Sequence, residues 1–373
     1  MEGATRFARL TRGQSFSVLA VTLLALLLAA ILYQPQPPAP PPVDLVVDTP
    51  VVTEVAPPVN ADVDAGRDTD LALYDAITER VASGENYYAV AVEEQRARNF
   101  PVRPGLAVRL PTLAHISAML GPTGVLVAAA VLLVVLLWAW WRRLAPLIER
   151  TPRRIMALGL LGLGFATGFK PMYFVLHEVW AGMLLALALA LHSPGKWRGA
   201  WVAAALALSI REHALPFVLL MGALSLWRRD WREFGAWSAL VAGFLILLWI
   251  HVSTVASYTT EADPLSSSWL ALRGLNGWLD AISLNSALYN FPSWIAAPLV
   301  LLPLLGWASL RDRLGCEATL LFVGYGVFFM LAGRENNFYW GLVVVPAWFV
   351  GLYWVPFALR DLVSGAQGSV ART

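Results

Sequence analysis

The sequence predicts an all-α polytopic membrane protein, and three observations lead to this fold class. First, 58% of the 373 residues are apolar and only 14% are charged, whereas soluble domains carry about 25% charged residues. Second, mean hydropathy is +0.61, and the apolar residues fall into about ten runs. Third, the basic residues gather in every second segment between the runs. We therefore expect about ten transmembrane helices.

The first apolar run, 16–33, follows Arg6, Arg9 and Arg12. No small-residue cleavage site follows it, so residues 1–33 are interpreted as a cytoplasmic segment and an uncleaved first transmembrane helix. The sequence QPQPPAPPP comes next and is typical of a stiff polyproline II spacer. Residues 34–66 are accordingly predicted to form a Pro-rich linker.

Residues 67–120 form the only long polar segment outside this linker. Apolar side chains recur there at helical spacing: Leu71, Tyr74, Ile77 and Val81. Asp68 and Thr69 are natural N-cap residues and Ser83-Gly84 is a stop signal. This spacing predicts an amphipathic helix able to lie on a membrane surface with Asp70 in its first turn. A second segment, 87–100, precedes prolines that interrupt any longer helix.

Nine further apolar runs predict transmembrane helices two to ten, within residues 121–359. They are 121–141, 155–169, 172–191, 199–210, 214–227, 234–252, 292–310, 319–332 and 340–359. Several are shorter than the roughly 20 residues that cross a membrane core. The runs 199–210 and 214–227 would alternatively form one broken hairpin. Residues 360–373 are predicted to be a cytoplasmic tail.

The basic residues set the expected orientation. With the N-terminus in the cytoplasm, every inner segment carries at least two Lys or Arg, as the positive-inside rule requires. Besides the long first loop, the outer segments hold only Lys170, Arg211, Arg273 and Arg334. The sequence therefore predicts a multi-pass inner-membrane protein with both termini cytoplasmic. Its amphipathic juxtamembrane helices would lie in a long first periplasmic loop.

This orientation brings the unexplained polar residues to the periplasmic side, where they would share one cavity. Asp70, inside the first helical turn, is the favoured catalytic carboxylate, and Asp68 serves equally well as an N-cap. The Asp-x-Asp spacing would also allow a divalent metal, but only if the segment were extended. No cofactor is otherwise indicated.

Other candidate residues lie at the outer ends of the apolar runs. His177 and Glu178 would either line the cavity or neutralise each other in the bundle. Lys170, Arg211 and Arg334 would either snorkel to the interface or form a divided anion site, with Glu212 and Glu335 beside two of them. Arg96, Arg98, Arg103 and Arg109 are interpreted as contacts to membrane lipid headgroups.

Several function classes find no support in the sequence. Neither a nucleotide-binding motif nor a common hydrolase motif is present. The dispersed basic residues argue against nucleic acid as a partner. Cys316 is the only cysteine, so an internal disulfide is excluded and a cysteine-based metal cluster is disfavoured.

Several motifs resemble the C-type (GT-C) integral-membrane glycosyltransferases of the bacterial polyprenyl-phosphate-sugar-dependent kind. In the first loop these are Asp70-x-x-x-Tyr74, Gly84-x-x-Tyr87-Tyr88 and the RLPT run at 109–112. Further segments are HEVWAG at 177–182, Arg211-Glu212-His213, and GRENNFYW at 333–340. The resemblance spans roughly residues 60–355, but the acidic pair is less clustered than in that family.

The resemblance implies an inverting glycosyltransferase. Its donor would be a sugar on a polyprenyl phosphate, and its acceptor a hydroxyl on a glycan, lipid or protein at the periplasmic face. Asp70 would act as general base, and Lys170, Arg211 or Arg334 would stabilise the lipid-phosphate leaving group. Tyr74, Tyr88, His177, Glu178, Glu212, His213 and Glu335 would complete the substrate site.

Two other classes remain open on the sequence. A transporter or lipid flippase would use the same outer cavity, but it would be expected to show internal repeats and polar residues near mid-membrane. A non-catalytic envelope-assembly scaffold would use the linker 34–66 as a docking arm, and replacing Asp70 would then have no effect.

Overall fold

In a computed structural model that describes residues 5–35 and 69–368, the regular secondary structure is helical. Within these ranges no β-strand forms, and the extended segments make only two isolated bridges. The predicted all-α class is confirmed. Asp68, most of the linker 34–66 and the end of the predicted tail lie outside the described residues.

The described residues form fourteen α-helices. They are α1 Arg12–Leu32, α2 Thr69–Ala82, α3 Tyr87–Ala97, α4 Thr112–Leu144, α5 Thr151–Gly168, α6 His177–Leu191, α7 Arg198–Ile210, α8 Leu215–Trp227, α9 Trp231–Tyr258, α10 Gly274–Ser283, α11 Ser293–Ser309, α12 Arg313–Leu331, α13 Val345–Trp348 and α14 Val355–Ala366. Short 3₁₀ helices join several of them, among them Gly105–Ala107, Glu212–Ala214 and Glu335–Val343.

Four of the described helices are long and apolar enough to cross a membrane. They are α1, α4, α9 and α12, and a fifth is obtained if the chain from Glu335 to Ala366, bent by 61°, counts as one span. The expected ten spans are not confirmed. The reason is length: α6, α7, α8 and α11 have 15, 13, 13 and 17 residues, below the roughly 20 that a straight crossing requires.

Contacts between helix termini define two ends of the bundle. At the end we call lower, Arg143 at the end of α4 lies 2.6 Å from Asp312 before α12, and Arg12 of α1 donates to the carbonyl of Ala366 at 3.0 Å. At the other, upper end, Tyr33 after α1 donates to Asp280 of α10 at 2.9 Å. The juxtamembrane helices α2 and α3 belong to the upper end.

The helix predicted after Asp68 is present as α2, but its apolar face is covered by protein. Leu71, Leu73 and Ile77 are buried, and α2 packs against α4 and α3. Gly84, at φ +94°, ends the turn after α2 in a conformation that favours glycine. A membrane surface is therefore not needed to bury this face, and α2 is held firmly beside α4.

Close backbone approach at glycine holds the bundle together. Gly164 of α5 faces the carbonyl of Val345, and a methyl group there would overlap it. Gly182 of α6 meets the carbonyl of Leu342 in the same way. The bent segment that follows α12 therefore packs directly against the backbones of α5 and α6.

Two glycine-to-alanine substitutions in α5 test this packing. We expect Gly164→Ala to destabilise the protein by about 1–3 kcal/mol through overpacking. Gly162→Ala on the same helix meets no neighbouring atom and should be neutral or stabilising by up to about 1 kcal/mol. Thermal unfolding in detergent micelles measures both changes, and equal effects would contradict the contact.

A buried charged cluster closes the lower end. His192, which follows the last residue of α6, lies between Glu233 of α9 at 2.8 Å and Glu317 of α12 at 3.0 Å. Arg228 donates to both carboxylate oxygens of Glu233. A neutral imidazole donates only one hydrogen bond, so two carboxylate neighbours favour the doubly protonated ring. Burial opposes that charge, but the bonds to Glu233 and Glu317 prevail and raise the pKa of His192 to about 9.

This cluster should make stability depend on pH. Because the pKa of His192 is higher in the folded protein than its ordinary 6.5, its contribution is full below pH 6.5 and is lost as pH rises through about 9. We expect the unfolding temperature of wild type to fall more between pH 6.5 and 9.5 than that of His192→Gln. Parallel pH profiles for the two proteins would contradict an imidazolium at this position.

Candidate functional site

A cavity of about 450 Å³ opens at the upper end of the bundle. Its walls come from α2, α3, the 3₁₀ helix Gly105–Ala107, the turn between α7 and α8, the chain before α10, and the segment after α12. Its polar lining residues are Asp70, Tyr74, Tyr87, Gln95, Arg109, Arg211, Glu212, His213, Arg334, Asn336, Asn337 and Tyr339. Six residues predicted from the sequence to belong to the site thus line one space: Asp70, Tyr74, Arg211, Glu212, His213 and Arg334.

Asp70 and Tyr74 reach the cavity from the first two turns of α2. Residues four apart lie on one face of a helix, so both side chains point the same way. Asp70 is half-buried and stands in the first turn, where the helix dipole favours a negative charge. The carboxylate is thus held at the cavity wall.

Arg109 lines the cavity close to Tyr74, and the sequence interpretation did not expect this. Its Nε donates to the hydroxyl of Tyr74 at 2.9 Å and its Nη2 to that of Tyr339 at 3.0 Å. Burial raises the pKa of Tyr74, so its phenol stays neutral. The hydrogen bond from Arg109 to Tyr74 therefore joins a charged group to an uncharged one. The lipid-headgroup interpretation of Arg109 is therefore corrected: this guanidinium faces the cavity.

Arg211 forms the floor of the cavity. The helix α7 ends at Ile210, and Arg211 adopts an extended conformation before the next turn. Its side chain is 1% exposed and forms an ion pair at 2.7 Å with Glu178, which is equally buried. A hydrogen bond to Glu212, also at 2.7 Å, completes the group. Glu178 is thus a partner of the cavity cation and does not itself line the cavity.

An aromatic wall stands opposite α2. The ring of His213 lies 4.2 Å from that of Trp340, which stacks on Phe328 at an interplanar angle of 19°. Trp340 is 6% exposed, and its indole N–H has no hydrogen-bond partner among the described residues. The Nη2 of Arg211 and the Nε of Arg334 also have no hydrogen-bond partner among the described residues. These buried N–H groups all belong to residues that line the cavity.

The other predicted site residues lie outside this cavity. Lys170 and Glu335 are exposed, and neither belongs to the lining. The buried ring of His177 packs edge-on against Tyr74, with centroids 5.3 Å apart, and lies behind the cavity wall. Tyr88 contacts His251 of α9 at 3.3 Å, whereas its neighbour Tyr87 faces the cavity.

Sequence reasoning overlooked Arg109, Tyr339 and the tryptophans Trp269 and Trp340 as lining residues. The sequence signal for Arg109 is the RLPT run at 109–112, and the signal for Tyr339 and Trp340 is the GRENNFYW segment at 333–340. The interpretation of Arg96 and Arg103 as headgroup contacts is also corrected, because both side chains bind protein. Arg96 forms hydrogen bonds with Asp263, and Arg103 donates to the carbonyls of Thr260 and Glu261. The pairing of distant segments was invisible in the sequence.

A metal site has no candidate among the residues that the structure describes, where no group of three or more His, Cys, Asp or Glu side chains could hold an ion. Asp68 lies outside the described residues, so the paired-aspartate hypothesis stays a prediction. Comparison of the chain with protein-family models, curated proteins and solved structures gave no match. The geometry of the cavity must therefore carry the functional inference.

The buried ion pair under the cavity can be tested by neutralising one member. Glu178→Gln leaves Arg211 charged with only Glu212 beside it, and we expect a loss of about 3 kcal/mol in unfolding free energy. Glu335→Gln at the exposed position should change stability by less than about 1 kcal/mol. Chemical unfolding in micelles compares the two, and similar losses would show that the Glu178–Arg211 contact has no special weight.

Proposed function

We propose that this protein is an inverting glycosyltransferase that moves a sugar from a polyprenyl-phosphate donor to an acceptor hydroxyl. One observation carries the proposal: a single cavity joins the carboxylate Asp70 to the guanidinium of Arg109. Those are the two groups that such a displacement requires, a base for the attacking hydroxyl and a cation for the departing phosphate.

Asp70 is the proposed general base. Its carboxylate takes the proton of the acceptor hydroxyl while that oxygen forms a bond to the anomeric carbon. The bond between that carbon and the phosphate oxygen breaks on the opposite side, so one displacement inverts the anomeric centre. The electron pair leaves with the lipid phosphate, and no nucleotide is consumed because the donor is already activated.

Arg109 is the best placed cation for the leaving phosphate. Arg211 is engaged by Glu178 and Glu212, whereas Arg109 donates to two tyrosine hydroxyls. Phosphate oxygens accept strong charge-assisted hydrogen bonds from guanidinium groups. Arg334 lines the same cavity and supplies a second cation. Lys170 is exposed outside it, so Arg109 takes the role that the sequence had offered to Lys170.

The proposed setting is the bacterial inner membrane, with the upper end in the periplasm and both termini in the cytoplasm. The basic loops support this orientation, because they lie at the lower end. We further propose ten crossings, in which the short helices α6, α7, α8 and α11 are shielded by neighbours. Helices shorter than the membrane core are tolerated where protein or a wet cavity surrounds their ends. Acceptor hydroxyls would reach the cavity from the periplasm.

A transfer assay in reconstituted protein tests the mechanism. We expect Asp70→Asn to lower turnover at least about 100-fold, as removal of a general base typically does. Glu79→Gln, an exposed position on the same helix, should keep wild-type turnover. Radiolabelled polyprenyl-phosphate sugars and a panel of glycan, lipid and protein acceptors provide the measurement, with Asp68→Asn assayed in parallel.

The outcomes separate the candidate functions. Turnover lost in Asp70→Asn with an unchanged unfolding temperature supports the base. Full turnover in both Asp70→Asn and Asp68→Asn would overturn the mechanism. Movement of the intact donor across the membrane, with no sugar transferred to any acceptor in the panel, would favour a flippase instead.

A further inference from the structure

The chain between α9 and α10, residues 259–273, runs across the upper end of the bundle as a strap. Its first part is tied to the region after α3. Arg96 forms two hydrogen bonds with Asp263, at 2.6 and 2.7 Å. The backbone N–H of Ser266 donates to the carbonyl of Arg103 at 2.6 Å. This end of the strap is therefore fixed to the juxtamembrane region.

The second part of the strap is bound to the end of α12. Gly333 N–H donates to the carbonyl of Trp269 at 2.7 Å, and Arg273 N–H donates to that of Met330 at 2.9 Å. Between these bonds Trp269 and Leu270 line the cavity. The strap is thus one side wall of the cavity, anchored on both flanks.

Leucines cover the outer face of this wall. Leu265, Leu270 and Leu272 are 69%, 80% and 83% exposed. Polar residues would fit these extended positions equally well, so the presence of three leucines is notable. Leu270 is both strongly exposed and part of the cavity lining. The cavity therefore opens to the outside at this residue.

The mouth of the cavity has an apolar side and a polar side. Three residues that line the cavity are exposed at the protein surface: Leu106, Leu270 and Asn336. Leu106 belongs to the 3₁₀ helix that packs against α9, and Leu270 lies on the strap that leaves α9. Asn336 lies on the segment after α12, three residues beyond Gly333. An amphiphile fits this division, with its polar head inside the cavity and its tail crossing the leucines.

We propose that the hydrocarbon tail of a polyprenyl-phosphate substrate leaves the cavity between Leu106 and Leu270 and continues over the strap into the bilayer. This inference rests on the proposed function, because the anionic head is the group placed at Arg109. The polar side at Asn336 is then left for the acceptor. Tail and acceptor reach the reacting carbon from different sides and do not obstruct each other.

Exposed apolar residues also lie on the two helices that the strap contacts. Trp249 of α9 is 70% exposed, and Leu331 at the end of α12 is 51% exposed. Both helices are long and apolar enough to span a membrane, and the strap joins their ends. A tail passing Leu270 would next meet Leu331, because the N–H of Ala271 in the strap donates to the carbonyl of Leu331 at 3.2 Å.

Photocrosslinking tests the path without requiring turnover. A benzophenone side chain is introduced singly at Leu106, Leu270, Asn336 or Ile246, the last an exposed position within α9. Full-length protein in phospholipid vesicles is irradiated with a fluorescent long-chain polyprenyl phosphate. We expect saturable labelling at positions 106 and 270 that an excess of unlabelled polyprenyl phosphate reduces at least about fivefold. Position 336 should remain unlabelled.

Position 246 reports contact with bulk lipid, where labelling should rise linearly with probe and resist competition. Linear, uncompeted labelling at 106 and 270, or saturable labelling at 336, would overturn the proposed path. A further arm combines the probe at Leu106 with Leu270→Asn, which should lower saturable labelling several-fold, whereas Leu245→Asn should not. Saturable labelling without any sugar transfer would keep the lipid site and reject the transferase, so the two proposals fail separately.

Discussion

A buried guanidinium is the constraint on which the upper end of this protein depends. Arg211 is 1% exposed and lies 2.7 Å from both Glu178 and Glu212. An unpaired charge in such surroundings would be strongly unfavourable, so the start of α6 and the end of α7 must converge. That convergence sets His177 behind Tyr74 and brings His213 against Trp340. Two opposite walls of the cavity thus follow from one pairing.

Two of the three arginines that line the cavity, Arg109 and Arg211, are held in different ways. Arg211 has carboxylate partners and is part of the framework. Arg109 is positioned by tyrosine hydroxyls, and its backbone carbonyl accepts a hydrogen bond from Tyr87 at 2.6 Å. The side-chain groups that orient this guanidinium through hydrogen bonds are therefore uncharged. A group arranged like this can bind an anion at little reorganisation cost, which is the property that electrostatic catalysis requires.

The sequence predicted the helices well because helix formation leaves a local signal. The apolar spacing that begins at Leu71 and the stop at Gly84 placed α2 almost to the residue. The span count went further than the described helices support, since composition marks an apolar run but not its tilt or its neighbours. Arg109 was misjudged because its partner Tyr339 is 230 residues away. Lys170 was assigned to the right end of the bundle, but no local pattern says which way a side chain at a helix end will point.

The hydrogen-bond partners of the buried polar groups differ between the two ends of the bundle. At the lower end both nitrogens of His192 and both oxygens of Glu233 have protein partners, and the second oxygen of Glu317 lies 3.8 Å from the Nη1 of Arg228. At the upper end buried N–H groups of Arg211, Arg334 and Trp340 have none among the described residues. Buried donors are normally paired, and all three residues line the cavity that also holds Asp70. The proposed transfer would bring phosphate oxygens to the arginines of this cavity and an acceptor hydroxyl to Asp70, so one space would hold both reactants.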